Sequence, residues 1–306
     1  MAEVATDHRE PSTQAFTEDS ARAALTRACQ SVDVECRFAE LIRMGSNAVF
    51  RLDPGLIARV APTVALRANA EKQVAVAHWL AAADYPAVRA APVPQPVEAC
   101  GRIVTFWKSI SRDKAYAPIA DVASLIKRLH SLASPTDLVL PELQPFGSVE
   151  DTPRFSGLAT EDARFLRERI EWAREYFTSL PYILPRGIIH GDANVGNVIC
   201  DDRGRAVLID LDSFAVGPRE WDLIQTALFF DRLGWHSAEE YRTFVAVYGY
   251  DITEWAGYSD LADMREIAMT SWLGKKADTS PAAATETAKR VEAIRTGCSR
   301  RDWGAH

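Results

Sequence analysis

The chain lacks any uninterrupted apolar run approaching the roughly 18 residues of a membrane helix, although 47% of its 306 residues are hydrophobic. No membrane partner is expected, and the apolar content is enough for a sizeable core. Cysteine is sparse: five residues, at 29, 36, 100, 200 and 298, with no CxxC pair and no metal-ligand spacing. Such an odd, scattered set argues against a disulfide framework and for reduced thiols, mostly in packing positions. Positive charge is also short, with 35 Lys and Arg against 42 Asp and Glu and a net charge of -7. Without a basic tail or a basic stripe interleaved with aromatics, nucleic acid is not an expected partner, whereas a mildly acidic surface tolerates a cationic small molecule. The phosphate-loop signature G-x-x-x-x-G-K-S/T is missing throughout, which removes one large class of nucleotide-binding proteins. No heptad or distinctive interaction repeat fixes an oligomeric state. The opening residues MAEVATDHREPSTQ are polar and carry no hydrophobic signal segment, so a cytoplasmic protein is expected.

What is present concentrates between Ile189 and Asp212, IHGDANVGNVICDDRGRAVLIDLD. Val198, Ile199 and Cys200 form a strand-like run, Asp201 to Gly204 a polar turn, and Ala206 to Leu211 a second strand-like run. A turn centred near Arg203 pairs the residues around Asn197 with those around Ile209 and Asp210. An amide oxygen and a carboxylate then meet at the open end of one hairpin. Magnesium prefers hard oxygen ligands and takes only one or two from the protein, completing its shell with water and phosphates. Asn197 and Asp210 supply such a partial shell. Asp192, on the loop entering the hairpin, offers a carboxylate able to orient an acceptor hydroxyl and accept its proton. Gly191 and Gly196 let the backbone turn closely around phosphates. Taken singly, Asp, Asn and Gly are ordinary loop residues, and only their joint spacing points to chemistry.

The run HGDANVGN from His190 to Asn197, followed by Asp210 in IDLD, resembles the catalytic-loop and metal-loop pair of the aminoglycoside phosphotransferase and choline kinase-like family, relatives of the protein kinases. The resemblance implies an α+β, bilobal kinase-like fold: a small antiparallel-sheet lobe, residues 1–104, a linker, 105–109, and a larger helical catalytic and acceptor lobe, 110–306. It further implies Asp192 as catalytic base, Asn197 and Asp210 as ligands of Mg2+, His190 as a support of the loop, and Asp222, in GPREWDLI, as a buried aspartate tying the catalytic loop down. Asp212 departs from the minimal pattern, with a second ion, the substrate or plain solvation as its open roles.

In the first hundred residues, RFAELIRMGSNAVFRLDPGLIARVAP contains strand-like runs joined by Asp53, Pro54 and Gly55. The resemblance sets this hairpin over the nucleotide, with Ser46 and Asn47 beside Gly45 at the phosphates; taken alone, Gly45 to Asn47 are an ordinary turn. It also calls for a lysine in LIARVAP, where Arg59 stands instead. Arginine holds phosphate bidentately and stays charged, with altered reach; the plain alternative is a surface strand residue. In ANAEKQVAVAHWLAAA, Glu71 is the carboxylate able to pair with Arg59, and Gln73 occupies an alternative register. His78 in that helix has no metal-binding neighbour and reads as a packing or exposed residue. By the same resemblance Thr105 to Ser109 meet the adenine, with Phe106 and Trp107 either at the nucleotide or in the core; strand alternation turns one of the two inward.

Helical periodicity covers Ser20–Gln30, Ile119–His130 and Thr160–Thr178, then Trp221–Leu233, Ser237–Tyr250, Leu261–Leu273 and Ala282–Thr296. A helix is also expected to begin near Tyr116. The later helices carry Glu220, Asp231, Glu239, Glu240, Asp251, Glu254, Asp260 and Asp263, each able to receive an amine and each, by default, ordinary surface charge. The expected activity is transfer of the γ-phosphoryl group of ATP, with Mg2+, to a hydroxyl of a small, cationic molecule such as an aminoglycoside or other antibiotic. The alternatives are a kinase of an endogenous amino alcohol or sugar, and a noncatalytic nucleotide-binding or interaction protein with a kinase-like fold.

Overall fold

The structure, a computed structural model, describes residues 15–52 and 55–304. The turn residues Asp53 and Pro54 and the polar N-terminal run to Gln14 lie outside the described residues. Contacts divide the chain into two units, the first running to Ala83 and adding Val88–Arg112, the second comprising Asp84–Ala87 and Asp113 onward.

The first unit is built on an antiparallel sheet of β1 (Glu40–Met44), β2 (Ala48–Leu52), β3 (Leu56–Ala61), β4 (Val97–Ala99) and β5 (Arg102–Lys108), in the order β1-β2-β3-β5-β4. Strand β2 shows the period-two logic directly: Ala48, Phe50 and Leu52 are buried while Val49 and Arg51 are half-buried. Helix α1 (Glu18–Ser31) starts at Thr17, whose side chain and that of Ser20 form a reciprocal capping box, satisfying backbone donors that would otherwise be orphaned. Its buried stripe of Ala21, Ala24, Leu25, Ala28 and Cys29 joins Phe50, Val60, Val104 and Phe106 in one core. Burying a side chain the size of Phe50 contributes on the order of 1.5–3 kcal/mol. Helix α2 (Arg67–Ala82) buries Ala70, Val74, Val76, Ala77 and Leu80 and leaves His78 exposed. The segment 105–109, expected as a linker, lies in β5 through Lys108, paired with β3 from Thr105 opposite Arg59 to Lys108 opposite Leu56.

The second unit is helical: α3 (Ile119–His130), α4 (Thr160–Tyr176), α5 (Glu220–Asp231), α6 (Ala238–Tyr248), α7 (Tyr258–Gly274) and α8 (Pro281–Thr296). Helix α3 packs on α6, and α7 packs on α4, α5 and α8. Helix α5 is buried at every position from Glu220 to Phe229, as expected of a helix apolar nearly all round. Tyr116 lies before α3, in an isolated bridge to Ile199, and the helix begins after Pro118. Two short antiparallel strand pairs stand among the helices. Strand β6 (Gly187–Ile189) pairs with β9 (Ala215–Gly217), and between them in sequence β7 (Val198–Cys200) pairs with β8 (Ala206–Leu208). The strand expected over Ala206–Leu211 stops at Leu208, because Asp210 turns to φ 63, ψ 67, a left-handed conformation incompatible with an extended strand.

Candidate active site

The β7–β8 hairpin has the register its turn dictates: Val198 faces Leu208, Ile199 faces Val207 and Cys200 faces Ala206. Asp201 closes the turn by accepting from the backbone N–H groups of Arg203 and Arg205. One step beyond the ladder, the Ile209 N–H donates to the Asn197 carbonyl at 2.9 Å. Asn197 is thereby fixed opposite Ile209 and next to Asp210, at the open end of the hairpin. Asp210 is one of the few non-glycine residues with positive φ, a conformation that Asp tolerates better than most side chains and that recurs at functional positions.

Asp192 lies within reach of the same end. Both hydrogens of the Asn197 amide point back to it, one to the Asp192 carbonyl at 2.8 Å and one to Oδ2 at 2.9 Å. Asn194 also donates to that carbonyl at 3.0 Å and accepts the Gly196 N–H at 2.7 Å. The Asp192 side chain is 40% exposed, so its carboxylate is held from below yet reachable by an acceptor. Asp212 takes a hydrogen bond from Ser213 at 3.3 Å and is half-buried.

His190 joins the loop of Asp192 to the segment ending β8. Its Nδ1 accepts the Asp192 N–H at 3.3 Å, which leaves Nε2 to donate to the Ile209 carbonyl at 2.9 Å; hydrogen bonding thus selects the tautomer. Beneath it, fully buried Asp222 receives the N–H groups of His190 and Gly191 at 2.7 and 2.8 Å. It also receives Nε2 of buried His130 at 3.1 Å, and His130 Nδ1 meets the Tyr248 hydroxyl at 2.8 Å. Burial alone would push the Asp222 carboxyl up, but the His130 hydrogen bond, the nearby imidazoles of His130 and His190 and the His190 N–H hold it below its ordinary value. Asp222 thus anchors the backbone just before Asp192. Trp221, its neighbour on α5, donates to the Gly191 carbonyl at 2.9 Å. Gly191 itself has φ +83, and an added Cβ would run into the Ser213 carbonyl.

Arg265 was not singled out from sequence, yet its Nη2 lies 2.6 Å from Asp192 Oδ1. The same nitrogen bonds Gln225 of α5. No pattern marks Arg265 in advance: it sits in an apolar helical run, Leu261 to Leu273, and only the packing of α7 against α5 brings it to the loop.

In the first unit, Gly45, Ser46 and Asn47 form the β1–β2 turn, with the Gly45 N–H donating to the Asn47 carbonyl at 3.1 Å. Arg59 donates to Gln73 Oε1 at 3.3 Å, and Gln73 is held in turn by Asn69 at 2.9 Å. Glu71 lies beside Arg67, at 3.7 Å. The register of α2 thus presents Gln73, one turn from Asn69, to Arg59. Phe106 is fully buried in the core with α1. Its N–H and carbonyl are taken by Gln95 at 2.7 and 3.0 Å, so its side chain is a core aromatic. Trp107, on the alternate face, is buried and donates to Thr105 at 2.9 Å.

Several acidic residues of the later helices have internal duties. Glu220 caps the N–H groups of Ile183 and Leu184, Asp231 accepts from Tyr258, Glu240 closes the α6 capping box, Asp251 accepts from Tyr241 and Thr253, and Asp263 pairs with Arg232. Glu239, Glu254 and Asp260 are exposed.

The oxygen donors suit a hard divalent cation. With its nitrogen committed to Asp192, the Asn197 amide keeps its oxygen as the remaining donor, and the backbone pairing with Ile209 brings Asp210 to the same end of the hairpin. Among the described residues no group of three or more His, Cys, Asp and Glu side chains is arranged to hold a metal. Two protein oxygens completed by phosphate oxygens and water fit magnesium better than a closed protein cage does.

No curated protein matches the chain. Among solved structures, the fold is similar to amicoumacin kinase hAmiN in complex with AMP-PNP, Ca2+ and Ami, with a TM-score of 0.68 and 10% identity over 92% of this chain and 95% of that one. It is similar to choline kinase LicA from Streptococcus pneumoniae, with a TM-score of 0.61 and 15% identity over 88% and 98% of the two chains. For the aminoglycoside phosphotransferase APH(3'')-Id from Streptomyces rimosus the TM-score is 0.60 and the identity 18%, over 84% and 98%. At such identities the likeness is one of fold. Residues 40–261 match the APH model, described as the Phosphotransferase enzyme family. That span contains Asp192, Asn197 and Asp210, and the chain belongs to this family of phosphotransferases.

Proposed function

We propose that this phosphotransferase moves the γ-phosphoryl group of ATP to a hydroxyl of a small molecule, with Asp192 as base. The observation that carries the reading is the convergence of Asp192, Asn197 and Asp210: Asn197 Nδ2 bonds the Asp192 carboxylate at 2.9 Å, and its carbonyl accepts the N–H adjoining Asp210, also at 2.9 Å.

Asp192 accepts the acceptor's hydroxyl proton as the acceptor oxygen bonds to the γ-phosphorus and the bond to ADP breaks, so no covalent enzyme intermediate is required. Asn197 and Asp210 would hold Mg2+, which supplies charge neutralisation on the phosphate oxygens. His190 and Asp222 keep the loop fixed while this happens, so little reorganisation is needed at the moment of transfer. On the nucleotide side we assign Arg59, steadied by Gln73, to the phosphates, with Ser46 and Asn47 at the same turn. Trp107 is the β5 aromatic assigned to the base, while Phe106 and Glu71 act on the surrounding structure.

For the acceptor, the net charge of -7 and the antibiotic kinases among the similar folds favour a cationic antibiotic such as an aminoglycoside. The comparable likeness to a choline kinase supports an amino alcohol as the second reading. A panel of aminoglycosides, peptide antibiotics, choline analogues, hydroxylated amines and sugars, scored by ADP formation and phosphorylated product, separates the two. Asp192→Asn should retain ATP binding and lose transfer, and normal turnover in that variant would end the base assignment. Saturable ATP binding without product on every acceptor would favour a noncatalytic nucleotide-binding protein.

A further inference from the structure

We propose that Arg265 is a positioning residue for the transfer: a buried cation that fixes the Asp192 carboxylate on the side from which it meets the acceptor. This rests on the reading of Asp192 as the base.

The arginine is itself immobilised. Its side chain is only 9% exposed, its Cζ lies 4.9 Å from the Trp221 ring centroid, and its Nη2 bonds Gln225. Trp221 is in turn pinned by the Gly191 carbonyl at 2.9 Å and by edge contacts to Phe146 and Phe177. From this fixed seat Nη2 takes Asp192 Oδ1 at 2.6 Å while Asn197 takes Oδ2 at 2.9 Å. The carboxylate is thus clamped at both oxygens, and each oxygen keeps a second lone pair for an acceptor hydroxyl.

The other buried arginine of this unit, Arg290, meets a nearly buried carboxylate, Glu286. Arg265 is paired with a carboxylate that is 40% exposed. Desolvating a guanidinium is costly, and here the cost is spent on the one side chain that must face substrate. Because Trp221, Asp222 and Gln225 all lie on α5, one helix holds the loop backbone directly and its carboxylate through Arg265.

The test uses the full chain with Mg-ATP and the acceptor that gives the highest rate in the panel, and with water alone as acceptor. Arg265→Met should lower kcat by about 100-fold, the typical loss for a misplaced reacting group, with the KM for ATP and the melting temperature little changed. Arg265→Lys should recover part of kcat, and Arg265→Gly should regain turnover when guanidinium ion is added. A folded Arg265→Met with wild-type kcat would overturn the proposal. So would a loss that neither the lysine variant nor guanidinium repairs, because that is the signature of a purely structural residue. If Arg265→Met fails to fold, the lysine variant and guanidinium rescue decide alone. Wild-type turnover in Asp192→Asn would instead strike the base reading itself, whereas an inactive Asp192→Asn beside a fully active Arg265→Met would strike only the arginine.

Discussion

Asn197 spends both hydrogens of its side-chain amide on a single neighbour, Asp192, reaching the backbone carbonyl at 2.8 Å and the carboxylate at 2.9 Å. The same side chain therefore holds the Asp192 carboxylate and, in the proposed reading, offers its own oxygen to the cation. Removing it acts on two functions at once. Asn197→Ala should lower transfer by at least about 10-fold, the lower end for losing a group that orients a metal site, and weaken nucleotide binding only when Mg2+ is present. Calorimetry with and without the metal checks the second half, and equal affinities in the two titrations would remove Asn197 from the metal shell.

Asp210 allows charge to be separated from shape. Its φ of 63 and ψ of 67 suit Asn nearly as well as Asp, so Asp210→Asn should keep the wild-type melting temperature. It should nevertheless weaken Mg-nucleotide binding, because the anionic ligand is gone. A variant that binds the Mg-nucleotide as tightly as wild type would show that the carboxylate does not serve the cation.

A pH dependence follows from Asp222. Its carboxyl is held below the ordinary value once burial, the His130 hydrogen bond and the His190 contacts are combined. Its stabilisation is therefore complete at neutral pH and is lost as pH falls below the ordinary carboxylate range and through the folded value. Asp222→Asn should cost about 3–5 kcal/mol near neutrality, the range for breaking a buried charged pair. The gap between wild type and variant should close in strong acid. Urea unfolding across the pH range measures it, and a gap that widens toward acid would contradict the assignment.

Gly191 is conformationally demanding. With φ +83 and the Ser213 carbonyl in the way of any Cβ, Gly191→Ala should lose about 1–2 kcal/mol from the left-handed backbone alone, with the clash added. The loop would move with it. Calorimetric melting and turnover should therefore fall together.

The hairpin was legible because local rules suffice there: a polar turn at Asp201 to Gly204 and flanking apolar runs fix a register that carries Asn197 to Ile209. Most helices were legible for the same reason, Ile119–His130 to the residue. The end of β8 was not, since Leu208, Ile209 and Leu211 keep an apolar pattern across a point where Asp210 turns left-handed. Helix register was also beyond sequence. Glu71 offered the better charge for Arg59, but the turn of α2 gives it Gln73 instead. Arg265, Gln225, His130 and Tyr248 were invisible because each reaches the loop only through helix packing, and in sequence they look like polar interruptions of apolar faces. Phe106 and Trp107 alternated as a strand requires, yet alternation could not say which face of β5 belongs to the core.

Strands β6 and β9 close on each other at Ile188 and Val216, so Asp192, Asn197, Asp210 and Asp212 all hang from one clasped stretch of chain. A chemical apparatus stored in one contiguous block can be retained unchanged while the helices that follow it diversify. Such freedom ends where the later helices reach back into the block, at Tyr248 of α6 through His130 and Asp222, and at Arg265 of α7.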